Sequence, residues 1–180
     1  MTTPHIDTFA STLLEEAKRF LEKTGSDDGG QEAYLHAALM LGFCALEAHV
    51  NAIGDDFAGQ KAFTPHELGI MQEKVVRLEG GEFQLTPRLQ MVRLDERIQF
   101  LHRKFSGTPI DKAAPWWTQL QIAMELRNQL THPKDVPTIT REGVGRALQA
   151  IIDTLNVVYR AVYGVKFPAA VRGLHSKLDF

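Results

Sequence analysis

The feature that most constrains this chain is one apolar stretch, Ala33 to Ile53, interrupted only by His36, Glu47, His49 and Asn51. It is near the length that spans a bilayer. Four polar side chains would be expensive in lipid, so a membrane span is not expected. The stretch reads instead as the central helix of a bundle, apolar on most sides because neighbours surround it. Such a helix demands partner helices with one apolar face each.

The rest of the chain supplies them. Phe9, Leu13, Leu14, Ala17, Phe20 and Leu21 recur at helical spacing, predicting a first helix from about Thr8 to Lys23. Glu15, Glu16, Lys18 and Arg19 fall between them as its polar side. Gly25 to Gly30 is a loop by composition. The apolar stretch makes the second helix, from about Gln31 to Phe57. Thr64-Pro65-His66-Glu67 combines a capping Thr, a first-turn Pro and a Glu at the capping-box position. It should start a third helix running to about Leu78 and stopping at Gly80-Gly81. From Glu82 to Val92 the signal is ambiguous, with Phe83 and Leu85 alternating with polar residues, and a short extended segment would fit. A fourth helix is expected over Leu94 to Phe105 and a fifth over Pro115 to His132, ended by Pro133 and Pro137. A sixth should run from Arg141 to Tyr163, with Thr140 as its cap and Gly164 as its stop. The tail after Phe167 has little structural signal.

Long helices with short connections predict an all-α, antiparallel helical bundle of five to six helices in a single domain, 1–180, with its core over about 31–163. The 180 residues suffice for a hydrophobic core without staples. A net charge of -2 leaves any nucleic-acid contact to a local patch. The single cysteine, Cys44, excludes an intramolecular disulfide and a Cys-based metal site, and reads as a small buried hydrophobe. MTTPHIDTF carries no signal-peptide pattern, so a reduced, cytoplasmic setting is expected. The histidines His5, His36, His49, His66, His102 and His175 lack metal-ligand spacing and are expected at the surface or at helix edges. No metal or cofactor is expected. Trp116 should pack in the core and Trp117 is expected to be interfacial. The basic group Arg88, Arg93, Arg97, His102, Arg103 and Lys104 could touch a nucleic-acid backbone, but reads rather as a solvated face shared with Asp95 and Glu96.

One constellation carries chemistry. On a wheel of the fifth helix, Thr118, Gln121, Glu125, Asn128 and His132 form the polar side. Arg127 instead falls in the apolar sector, near Leu120 and Ala123. A guanidinium there must snorkel, meet an acid or lie at an interface. Glu47 on the second helix, one turn from Asn51, is the candidate acid. The alternative is that Glu47 and Asn51 lie at that helix's exposed edge. His132 sits at the helix end, where an imidazole can gain or lose a proton near neutrality. Arg and His together meet the needs of metal-free RNA cleavage: a base for the ribose 2′-hydroxyl, a cation for the phosphorane, an acid for the leaving 5′-oxygen. As a plain alternative, His132 is a helix C-terminal cap.

The segment Glu-Leu-Arg127-Asn128-Gln-Leu-Thr-His132-Pro133 closely resembles the signature of the HEPN superfamily: Arg, often followed by Asn, then His, late in an all-α bundle. Leu46-Glu47-Ala48-His49-Val50-Asn51-Ala52-Ile53 is similar to an early HEPN core helix, and the two lie in the expected order. The resemblance covers roughly residues 31 to 163. It implies a metal-independent endoribonuclease acting as a homodimer, with Arg127 and His132 catalytic and Asn128 orienting His132 or the phosphate. Glu47 and Asn51 would support them. RNA would be the substrate, and an antitoxin or other protein a partner, as for a toxin or phage-defence effector. Lys134, after Pro133, stands where one toxin subgroup carries a Tyr. The resemblance equally covers non-catalytic modules that bind RNA, a nucleotide or a protein.

Overall fold

The computed structural model describes residues 4–25, 29–60 and 62–180, with side chains from residue 8 onward. Its elements are α1 (Pro4–Lys23), α2 (Gln31–Asp56), α3 (Pro65–Gln72), β1 (Lys74–Glu79), β2 (Glu82–Leu89), α4 (Leu94–Ser106), α5 (Pro115–Thr131) and α6 (Arg141–Tyr163). A short 3-10 turn, Pro168–Val171, follows. The fold is an all-α helical bundle carrying one small β-hairpin. The expected loop at Ser26–Asp28 lies outside the described residues, as does the side chain of His5.

The helix boundaries follow local chemistry. Thr64 caps α3 by accepting from the Glu67 N–H, while the Glu67 carboxylate accepts from the Thr64 N–H, the reciprocal capping box. The Thr140 side chain accepts from the Gly143 N–H at the start of α6. Gly107 and Gly164 end α4 and α6 in the left-handed conformation that glycine adopts without steric penalty.

α2 is the central helix. Leu35, Leu39, Phe43, Leu46, Val50 and Ile53 are buried, and so are residues on its other flanks. One strip alone opens outward, through Cys44, Glu47, Ala48 and Asn51. By length and mean hydropathy (1.4) α2 could cross a bilayer, but 61% of that window is buried inside the protein. It packs against α1 along its length and against α6, whose Val144, Leu148, Ile151, Leu155 and Val158 recur at helical spacing. One apolar core joins side chains from all six helices and from the tail.

Several expectations need correction. The third helix does not reach Leu78: it ends at Gln72, and Glu73 takes a left-handed conformation (φ 52°). Lys74–Glu79 is then a strand, antiparallel to β2, with Val76 opposite Leu85 and Leu78 opposite Phe83. Gly80-Gly81 is the hairpin turn and not a helix stop; φ values of 60° and 88° suit a two-residue turn that needs positive φ at both positions. Val75, Val76 and Leu78 supply the β-branched and alternating pattern that the helix reading overlooked. Pro87 is tolerated because it falls where the pairing register shifts. The hairpin lies directly on α3: a Cβ on Gly69 would stand 2.8 Å from Val76 Cγ2 and 2.9 Å from the Lys74 carbonyl oxygen.

Burial brings further corrections. Trp117 is the buried tryptophan and Trp116 the half-buried one. Cys44 is exposed, on the open strip of α2. His49 is buried, 1% exposed. Arg97 and Asp95 are buried, so that group is not simply a solvated face. Glu15 and Lys18 are also buried, because the tail that seemed featureless lies along α1 and covers them.

Candidate functional site

The site is built where α5 passes the open strip of α2. α5 buries Trp117, Leu120 and Ala123 and leaves Glu125, Asn128 and His132 exposed, as its polar periodicity predicts. Arg127 comes off the side of α5 turned toward α2. Its Nη1 lies 3.6 Å from Glu47 Oε1, and its guanidinium stands 5.1 Å above the Phe43 ring. The expected meeting of Arg127 with Glu47 is therefore present.

That pair is loose. At 3.6 Å it is an ion pair without a proper hydrogen bond. The Glu47 side chain is 46% exposed, and the Arg127 side chain 23%. Arg127 Nε is buried with no hydrogen-bond partner among the described residues. The guanidinium thus retains donor capacity that Glu47 does not use, on a stem held by contact with an aromatic face.

Glu47, Asn51, Arg127 and Asn128 line one cleft of about 570 Å³. Its far wall is the segment that leads from the hairpin into α4, including Met91 and Arg93. Glu73 fastens this wall. Its carbonyl accepts from the Gln90 N–H at 2.8 Å, its carboxylate accepts from the Val92 N–H at 3.2 Å, and it pairs with Arg97 at 3.1 Å. Arg97 also donates to the Met71 carbonyl at 2.9 Å. Burial holds the Arg97 guanidinium below its ordinary pKa, opposed by the negative charge of Glu73. Sequence reasoning missed this clamp because Glu73 and Arg97 are joined only by the turn-back of the hairpin.

His132 is the C-cap residue of α5, its N–H donating to the Asn128 carbonyl at 2.9 Å. Its imidazole is exposed and makes no hydrogen bond within the described residues. It lines a second, adjacent cleft of about 660 Å³ with Glu125, Asn128 and Lys134. Asn128 borders both clefts. Within one chain, then, Arg127 and His132 open onto neighbouring clefts that meet at Asn128, not onto one shared pocket. Among the described residues, no group of three or more His, Cys, Asp or Glu side chains could hold a metal ion.

Comparison with known proteins finds no matching family, no matching curated protein and no matching solved structure.

Proposed function

We propose that this chain is a HEPN-type, metal-independent endoribonuclease, a toxin or phage-defence effector, that cleaves RNA with Arg127 and His132. The observation that supports this best is the exposed, unpartnered imidazole of His132, joined through Asn128 to the cleft that holds the Arg127 guanidinium. An imidazole and a guanidinium that open onto adjoining clefts bordered by Asn128 supply the acid–base group and the cation that phosphodiester transfer uses. The resemblance of the Arg127–His132 segment to the HEPN signature supports the same reading.

In the proposed step, His132 takes the proton from the ribose 2′-hydroxyl and the 2′-oxygen attacks phosphorus. The bond to the 5′-oxygen breaks, and that oxygen takes a proton from an acid. Arg127 turns its guanidinium toward the equatorial phosphate oxygens, for which Glu47 at 3.6 Å is a weak competitor. Asn128 orients the phosphate or the imidazole, and Asn51 extends the polar wall. One imidazole serves as base, so a second acid is needed. A homodimer that apposes two such clefts would supply it, and the open strip of α2 beside Arg127 leaves that face accessible.

The test is cleavage of RNA in EDTA. The purified protein should leave 2′,3′-cyclic phosphate ends, and His132→Ala should lower the rate about 100-fold or more. Activity that disappears in EDTA, or that is unchanged in His132→Ala, overturns the proposal.

A second reading has its own support. The Arg127–Glu47 pair, seated on Phe43, is also what a purely structural contact between α2 and α5 would look like. In a non-catalytic module, RNA, a nucleotide or a protein would bind the clefts without turnover, and Arg127→Ala would act on stability instead of chemistry.

A further inference from the structure

On the side of α2 away from Glu47 and Asn51, a second polar environment is built by residues that the proposed nuclease chemistry does not use. His49 is 1% exposed. Its Nδ1 lies 3.0 Å from the Tyr159 hydroxyl, and its ring meets those of Tyr159 and Phe167 edge-on. Its Nε2 is buried and has no hydrogen-bond partner among the described residues. Native folds rarely leave such an atom without a counterpart.

His49 lines a cavity of about 330 Å³ between α1, α2, α6 and the C-terminal segment. That is more room than one water needs and is within the range of small-ligand pockets. Phe167 and Pro168 give it apolar walls, and Glu15, Arg172 and Lys177 give it charge. Glu15 is already engaged: its carboxylate accepts from Lys18 Nζ, from Arg172 Nη2 and from the Lys177 N–H. The Lys177 ammonium forms no ion pair within the described residues and is exposed. The charged groups lining the cavity are therefore net positive, beside a nonpolar wall and the His49 ring.

We infer that this cavity is a binding site for a small organic monocarboxylate, one oxygen on His49 Nε2, the charge met by Lys177, and the apolar body against Phe167 and Pro168. Burial keeps His49 neutral at ordinary pH, so it would act as an N–H donor. The tautomer with the proton on Nε2 is the one in which the Tyr159 hydroxyl donates to Nδ1. The C-terminal segment forms one wall, so a bound ligand would add to the contacts that already hold this segment in place.

Sodium benzoate is the probe, titrated against the same concentration of sodium chloride. The His49 ring resonances in the full-length protein should shift saturably, with a dissociation constant of about 1 mM or tighter. Lys177→Met should weaken this several-fold, since the ammonium has no structural partner to lose. His49→Phe keeps the ring packing and should abolish the rise in thermal midpoint that benzoate gives the wild type. A linear, unsaturable shift, or an equal midpoint rise in His49→Phe, overturns the inference. Neither outcome bears on RNA cleavage, which uses other residues in other clefts.

Discussion

Two ion pairs, one within α1 and one between α2 and α5, have opposite character. Glu15 and Lys18 on α1 are 2.6 Å apart, with side-chain exposures of 2% and 0%. Glu47 and Arg127 are 3.6 Å apart, with exposures of 46% and 23%. The first pair is sealed by the C-terminal segment, which adds Arg172 and two backbone contacts. The second lies open beside a cleft. A buried pair must be fully satisfied or the fold suffers, so its groups are committed to each other. A half-exposed pair at long distance is worth little to stability, so its guanidinium is available to a ligand. Burial, not the kind of residue, separates structural from functional candidates here.

The comparison can be broken most easily at α1. Glu15→Ala leaves Lys18 charged and buried, and should lower unfolding free energy in urea by about 3–5 kcal/mol. A loss no larger than that of an exposed pair would mean that Lys18 reaches water and that the contrast is false. The pH dependence follows from the same burial. Desolvation alone would raise the Glu15 pKa, but Lys18, the Lys177 N–H and Arg172 hold it below the ordinary carboxylate value. Its stabilising effect is present above the unfolded value and fades as pH falls through the folded one, so Glu15→Gln should flatten acid unfolding below about pH 4.5.

His49 is expected to have the next largest effect. Burial lowers its pKa from 6.5 to about 4. The unfolded chain therefore binds a proton between those values that the folded chain refuses. Stability should fall as pH drops through this window, by about 3 kcal/mol in total. His49→Phe should remove the part of the decline between pH 6.5 and pH 5; a wild-type and variant that decline in parallel would assign it to other groups.

At the open cleft the stability effects shrink while the proposed catalytic ones grow. Arg127→Ala should cost about 1 kcal/mol or less in urea unfolding, yet lower RNA cleavage about 100-fold or more. A loss of several kcal/mol with unchanged nucleic-acid handling would favour the structural reading of that pair. His132→Ala is the smallest of the series in stability, within about 0.5 kcal/mol, because its exposed ring has no partner to lose. Together the variants at these four positions rank the molecule from committed to available charge.

Much of this could be read without coordinates. The helix starts at Thr64 and Thr140 and the stops at Gly107 and Gly164 are local hydrogen-bonding and steric signals, visible within a few residues. The odd placement of Arg127 on its wheel pointed to an acid on another helix, and Glu47 was the one candidate on the most apolar segment. The hairpin was half legible. Phe83 and Leu85 alternated, but the residues after Thr64 continued a plausible helix and hid β1 behind a strong cap. The burial of Glu15, Lys18 and His49 was not legible at all. Periodicity assigns charged residues to solvent, and it cannot know that the C-terminal segment returns to cover them.

What the sequence determined by itself is the sort of element each segment forms, because caps, turns and periodic apolar faces act over a few residues. It also determined which residue types converge near the end of α5. Tertiary structure decided which charges are sealed and which stay open, and it set Arg127 and His132 in adjoining clefts. Desolvation depends on what packs from elsewhere in the chain, so no local pattern encodes it.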